Sequence, residues 1–222
     1  MKIFGESILY AFIATVITLL ISYPLAYFMT KTKASTQGTL MLLVMLPMWM
    51  NLLIRTYSMM AILDDGGFLN GILLKMGLPT VHIVGTPGAV IFGMVYNFLP
   101  YMILPIYSVM SKLDRKYIEA AEDLGCNRFE VLLKVVLPLT KSGVISGITM
   151  VFVPSISTFY ISQKLGSTST TMIGDVIESQ FKTAYNFNLG AALSLVLMVV
   201  IFVCVGVMNR FSGQDEDGGV VI

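Results

Sequence analysis

The chain contains little charge, little histidine and little cysteine. Only 12% of its 222 residues are Asp, Glu, Lys or Arg, roughly half the average for globular proteins, while 56% are hydrophobic and the mean hydropathy is +0.82. The 14 basic and 13 acidic residues nearly cancel, which excludes a strongly basic nucleic-acid binder. This composition indicates an integral membrane protein.

The scarce residues also exclude several chemistries. Cys126 and Cys204 lie in unlike surroundings and predict neither a disulfide framework nor a zinc cluster. His82 is the only histidine, so a metal site or a histidine base has no supporting residues. The sequence contains no Gly-Lys dipeptide and hence no Walker A loop for nucleotide phosphates. We therefore expect no catalytic residue, metal or cofactor in this chain.

Five stretches are long and apolar enough to cross a bilayer as helices. They are residues 7–30, 34–54 with apolar character continuing to 63, 88–110, 142–163 and 183–209. Helices are expected because the alternation typical of a transmembrane barrel is absent. We read the first stretch as a retained span, because no small-residue cleavage site follows it. Pro24, Pro47, Pro100, Pro105 and Pro154 predict kinks, and Gly143-x3-Gly147 predicts close helix approach.

The distribution of Lys and Arg predicts the orientation. One side carries nine: Lys31, Lys33, Lys112, Arg115, Lys116, Arg128, Lys134, Lys141 and Arg210. The other side carries five: Lys2, Arg55, Lys75, Lys164 and Lys182. The first side is predicted to be cytoplasmic, which puts the N-terminus outside and the acidic tail, within residues 211–222, inside. An external N-terminus without an earlier span suggests that a first helix is missing.

The connection 113–139 reads as two short amphipathic helices. Asp114 is a candidate N-cap and Gly125 a candidate left-handed C-cap of the first helix. In the second helix, Asn127 and Glu130 have capping-box spacing and Pro138 is expected to close the element. An amphipathic hairpin on the membrane surface is the alternative that composition alone allows.

The order of residues in this connection resembles the EAA signature of permease subunits of ABC importers. The matching residues are Glu119, Ala120, Ala121, Gly125, Leu137 and Pro138, with Val135 in place of the commoner isoleucine. The resemblance implies that 113–139 couples the permease to its ATPase. In that role, the alanines allow close approach, Glu119 offers a carboxylate and Gly125 makes the turn.

The resemblance extends over nearly the whole chain, to the B-type permease of spermidine/putrescine ABC importers. It includes Pro47-x-Trp49-x-Asn51-x2-Ile54-Arg55-x-Tyr57, Gly67-x-Leu69-Asn70, Gly174 and Gln180-Phe181. It implies an all-α bundle of five spans, without the first of the family's six, forming a single transmembrane domain over 1–222 in the bacterial inner membrane. The implied partners are a second permease, a dimer of ATPases that bind ATP and Mg²⁺, an external binding protein and a polyamine.

A polyamine pathway needs carboxylates and aromatic faces for its ammonium groups. The candidate pathway residues are Tyr96, Asn97, Tyr101, Phe159, Tyr160, Asp175 and Glu178. Arg55, Asp64 and Asp65 are candidates for binding-protein docking or gating. For each of these, packing, an interfacial belt or a solvated loop is an alternative. Other cargoes, such as an amino acid derivative, phosphonate or thiamine, stay open, as does the less favoured membrane enzyme or channel.

Overall fold

All the regular elements in the part of the chain that the structure describes are helices. This computed structural model describes residues 2–167 and 170–212. Its elements are α1 (Lys2–Lys31), α2 (Ala34–Trp49), α3 (Leu52–Leu63), α4 (Phe68–Lys75), α5 (Pro87–Met110), α6 (Arg115–Asp123), α7 (Arg128–Val131), a π-helical turn (Leu132–Val136), α8 (Leu137–Leu139), α9 (Lys141–Ser157), α10 (Tyr160–Leu165), α11 (Ile173–Lys182) and α12 (Phe187–Ser212).

Helices α1, α5 and α12 are each long and apolar enough to cross a membrane. Two bent pairs pass the same criterion when each pair is taken together: α2 with α3–α4, bent by 95°, and α7–α8 with α9, bent by 73°. The described chain therefore holds three unbroken spans, or five if each bent pair crosses once. The all-α, multi-span prediction is confirmed.

The core forms where α1, α5 and α9 pack against one another. Gly143 and Gly147 allow α9 to approach α5 closely, as their spacing predicts. A Cβ atom on Gly143 would lie 2.9 Å from the Pro105 carbonyl oxygen, and one on Gly147 would lie 2.7 Å from Met102 Sδ. Buried methionines, including Met94 and Met102, fill the spaces between these helices.

The second predicted span ends earlier than expected. The sequence predicts helix over 34–54 and apolar chain to 63, but α2 ends at Trp49 and the chain turns by 95° into α3. Asn51 is the physical reason: its side-chain oxygen accepts the Leu53 N–H (2.8 Å) and caps a new helix. Arg55 Nη1 donates to the Pro47 carbonyl oxygen (2.8 Å) across the bend.

The fourth and fifth predicted spans also differ from the observed helices. Helix α9 stops at Ser157, and α10 restarts at Tyr160 after an extended Thr158. Helix α12 begins at Phe187 rather than 183, because Tyr185 has a φ of 51° and interrupts the helix. By contrast, α5 matches its prediction within one residue. Residues 213–222, which hold most of the predicted tail, lie outside the described residues.

Candidate functional site

Helix α6 is a short element with a defined cap at each end. Asp114 accepts the Lys116 N–H at its start (3.0 Å). At its end, Cys126 N–H donates to the Ala121 carbonyl (3.1 Å) and Gly125 N–H to the Glu122 carbonyl (2.9 Å). This is a Schellman arrangement, and it requires the positive φ of Gly125, which is 85°. Both predicted caps are present.

The return segment is held by a full capping box. Asn127 accepts the Phe129 and Glu130 N–H groups, and Glu130 accepts the Asn127 N–H (3.0 Å). Glu130 also binds Lys134 Nζ (2.9 Å). The Asn127 N–H, followed by Lys134, lowers the pKa of the Glu130 carboxyl below its usual value. The segment then passes through the π-helical turn.

Pro138 lies one residue before the end of the return segment. The helical run Arg128–Leu139 stops there, and the chain turns by 73° at Thr140 into α9. Thr140 is fully buried at this bend. Its hydroxyl donates to the Val136 carbonyl (2.8 Å), so the Tyr23 hydroxyl, 3.0 Å away on α1, is the donor to Thr140 Oγ1.

Few of the described side chains of 113–139 are buried. Ala121, Val131 and Val136 are buried against the bundle. Much of the remaining surface is exposed and combines large apolar with acidic side chains. We define the coupling face as six of these exposed residues: Tyr117, Glu119, Ala120, Glu122, Leu124 and Phe129. Leu124 is 86% exposed and Phe129 67% exposed.

A polar cavity of about 280 Å³ lies behind this segment. It is lined by the ends of α1, α2 and α5 and by one side of α6, including Lys31, Gln37, Glu119 and Glu122. Tyr107 on α5 donates to Gln37 Oε1 (3.1 Å) on α2. Helix α6 therefore stands partly free of the bundle.

The candidate pathway residues on α5 lie in three different environments. Tyr96 is 40% exposed, with the Arg55 guanidinium 5.9 Å from its ring centre. Asn97 is fully buried; its Nδ2 donates to the Gly93 carbonyl (2.8 Å), while Oδ1 has no hydrogen-bond partner among the described residues. Tyr101 packs edge-on against Phe98.

The adjacent Phe159 and Tyr160 point to different neighbours. Phe159 lines an apolar cavity of about 480 Å³ between α11 and α12. Tyr160 packs edge-on against Tyr57 of α3, with ring centres 5.9 Å apart. Lys164 Nζ lies 4.8 Å from the Tyr57 ring centre and 5.9 Å from that of Tyr160. The structure therefore does not bring the predicted aromatic residues together into one cluster.

The candidate carboxylates of α11 are already engaged. Asp175 accepts the Met172 N–H (2.7 Å) and the Ser162 hydroxyl (3.0 Å), and burial raises the pKa of its carboxyl. Glu178 binds Lys182 (2.6 Å) and Gln163, and the bond to Lys182 lowers the pKa of its carboxyl. Both carboxylates fix α10 to α11.

Arg55, Asp64 and Asp65 are spread over α3 and the turn after it. Arg55 is only 5% exposed. Asp64 ends α3, and Asp65 pairs with His82 Nδ1 (2.8 Å). Among residues 2–167 and 170–212, no group of three or more His, Cys, Asp or Glu side chains is arranged to hold a metal ion.

Sequence reasoning missed two contacts between helices. These are the Tyr23–Thr140 hydrogen bond and the Lys164 contact with two tyrosine rings. The partners are 117 residues apart in the first case, so no periodicity links them. The i,i+4 spacing of Tyr160 and Lys164 was the one available signal for the second.

The chain is similar to known transport proteins in sequence and in fold. Residues 3–213 match the family described as "Binding-protein-dependent transport system inner membrane component". The spermidine/putrescine transport system permease protein PotB of Haemophilus influenzae is 42% identical over 200 residues, covering 89% of this chain and 70% of that protein. The protein of the same name from Escherichia coli K12 is 38% identical over 193 residues, covering 86% of this chain and 70% of that protein.

Two solved structures share the fold. A chain of a bacterial alginate ABC transporter, in complex with an alginate-bound periplasmic protein, gives a TM-score of 0.78 at 16% identity. The match covers 99% of this chain and 82% of the transporter chain. A chain of the MetNI methionine ABC transporter gives a TM-score of 0.71 at 15% identity, and the match covers 95% of this chain and 93% of the MetNI chain. The chain therefore belongs to the family of binding-protein-dependent transport system inner membrane components, and is a multi-pass inner-membrane permease of the ABC importer class.

Proposed function

We propose that this chain forms half of the translocation pathway of an ATP-driven importer for spermidine and putrescine. The cargo rests on one observation, the 42% and 38% identity to permeases named for spermidine/putrescine transport. In this proposal the chain performs no catalysis. ATP and Mg²⁺ are bound by a dimer of ATPase subunits, and a second permease and an external binding protein complete the importer.

The coupling face supports the ATPase part of the proposal. Both ends of α6 are fixed by caps that satisfy backbone groups, so the helix moves as a rigid element. Its exposed face offers apolar side chains around two carboxylates, Glu119 and Glu122. Ala120 is exposed and small, which permits a partner to approach the helix backbone closely.

The connection from this face to the bundle suggests how motion is transmitted. The return segment leads directly through the buried Thr140 into α9, which packs on α1 and α5. A displacement of α6 on ATPase closure therefore reaches the core through one short, hydrogen-bonded joint. Rocking of the core helices would switch the cavity between inward-facing and outward-facing states.

Reconstitution of the importer tests both parts. The complete importer in liposomes should import labelled spermidine or putrescine only with ATP, and the polyamine-loaded binding protein should stimulate its ATPase. Ala120→Leu should reduce co-purification of the ATPase and uptake by tenfold or more, because its side chain fills the space needed for close contact, an effect on the order of 1.4 kcal/mol or above. Ala184→Leu, at an exposed turn on the predicted external side, is the matched control.

The possible outcomes separate the cargo from the mechanism. A complex that hydrolyses ATP but responds to neither polyamine would contradict the cargo and leave the permease assignment intact. Unchanged ATPase assembly in both Ala120→Leu and Glu119→Ala would contradict the role of the coupling face.

A further inference from the structure

Two short helices come together on the predicted external half of the chain. Helix α3 follows the break at Asn51, and α10 follows the break at Thr158–Phe159. Helix α10 packs on both α3 and α5, and its last carbonyl, that of Leu165, accepts the Gly85 N–H (2.8 Å). Broken helices at membrane depth occur where they are buried in protein or line a cavity. This junction is therefore a place where side chains are buried in protein or line a cavity.

The junction contains an aromatic site that already holds a cation. The Tyr57 and Tyr160 rings meet at 77°, and the Lys164 ammonium lies over both. Within the described residues, no carboxylate lies within 4.0 Å of Lys164 Nζ. The neighbouring Ser162 and Gln163 turn the other way, to Asp175 and Glu178. The two tyrosine side chains, through their ring faces and the Tyr57 hydroxyl, are thus the contacts that hold this ammonium.

The side chain of lysine ends in a primary alkylammonium group. A polyamine carries the same group at each end, so the rings that accept one accept the other. We propose that Tyr57 and Tyr160 form a binding site for a primary alkylammonium group of the cargo, and that Lys164 occupies this site until the cargo displaces it. The proposal rests on the polyamine function proposed above.

Exposure and charge agree with this assignment. Tyr57 is 46% exposed, so a ligand reaches the rings without unfolding either helix. An ammonium facing lipid is costly, which directs the open side of the site toward water or the partner permease. The buried Arg55 points away, with its guanidinium 5.9 Å from the Tyr96 ring centre on α5. Return of the flexible Lys164 side chain would then expel the bound amine and prevent the site from retaining its cargo.

Removal of the lysine tests the site. The complete importer in nanodiscs is titrated with n-butylammonium, and the dissociation constant is measured by saturation-transfer NMR. Lys164→Met should bind this probe roughly 2- to 30-fold more tightly than the wild type, the range expected for one cation–π contact. Lys164→Gln is a second variant of the same kind. Lys164→Arg keeps a cation over the rings and should bind the probe as the wild type does.

The aromatic rings are tested in the Lys164→Met background. Adding Tyr57→Leu or Tyr160→Leu should abolish the gain, whereas Tyr57→Phe, which keeps the ring face and removes only the hydroxyl, should retain part of it. Unchanged affinity in both lysine variants, or a gain that survives loss of either ring, would overturn the site. Because the probe is independent of the cargo, failure of wild-type spermidine and putrescine uptake contradicts the polyamine function alone. Polyamine uptake without the butylammonium effect contradicts the site alone.

Discussion

The hydrogen bond between Tyr23 and Thr140 gives the sharpest prediction about the joint between the coupling segment and the bundle. Tyr23→Phe removes the donor and leaves Thr140 still bonded to the Val136 carbonyl. It should reduce the free energy of unfolding by about 0.5–1.5 kcal/mol, the net value of a neutral buried hydrogen bond. Thr140→Val removes the acceptor and leaves the Tyr23 hydroxyl unpaired in a side chain only 8% exposed.

The unpaired hydroxyl makes Thr140→Val less stable than Tyr23→Phe. Thr140→Val should lose about 1–3 kcal/mol, because a buried polar group without a partner carries its full desolvation penalty. The double variant replaces both partners by apolar groups of similar shape and should lose less than about 1 kcal/mol. The three values together define a double-mutant cycle with an interaction between the two positions.

Unfolding of the purified chain by SDS titration in mixed micelles measures these values. Thr18→Val is the matched control, since Thr18 is also fully buried and its hydroxyl bonds to the Ala14 carbonyl of its own helix (2.6 Å). It should change stability by less than about 0.5 kcal/mol. Equal losses in Tyr23→Phe and Thr140→Val, adding fully in the double variant, would refute the reasoning.

Three further predictions use the same unfolding assay. Gly143→Ala should destabilise by about 1–3 kcal/mol because its Cβ meets backbone, whereas Gly38→Ala in α2, with nothing within 4 Å, should be neutral or stabilising. Gly125→Ala should reduce the free energy of unfolding by about 1–2 kcal/mol, because Gly125 has a φ of 85°. Gly125→Asn should reduce it less, because asparagine adopts this conformation more readily than alanine, and equal losses would exclude backbone strain as the cause. Burial raises the pKa of the Asp175 carboxyl, so its ionisation destabilises the folded chain as the pH rises above the ordinary carboxyl pKa. Asp175→Asn should therefore gain stability relative to the wild type as the pH rises, and a pH-independent difference would contradict this.

Local signals in the sequence predicted the coupling segment well. The caps at Asp114, Gly125 and Asn127–Glu130 depend on residues at most five positions apart, so the sequence contains the whole interaction. The Gly143-x3-Gly147 contact is similar, because a face of small residues permits close approach whatever the neighbour is. In these features the interacting residues are close in the sequence as well as in space, so the sequence alone predicts them.

The breaks in the spans were harder to predict because hydropathy does not register them. Residues 34–63 are uncharged apart from Arg55 and mostly apolar, and the same composition suits one straight helix or two bent ones. Asn51 decides the outcome by capping α3. Proline did not mark these positions reliably: Pro24, Pro100 and Pro105 lie inside continuous helices, while the measured bends of 95° and 73° come at residues 50–51 and at Thr140.

These breaks determine which residues meet at the α3–α10 junction. With an unbroken second span, Tyr57 would continue along the direction of α2 and would not reach Tyr160. The 95° turn after Trp49 brings α3 against α10, and only then does Lys164 acquire two ring faces. The resemblance to polyamine permeases implied a pathway with aromatic side chains, but helix direction determines which of them contact one another. Asp175 and Glu178, the more obvious partners for a cation, are instead engaged in joining α10 to α11.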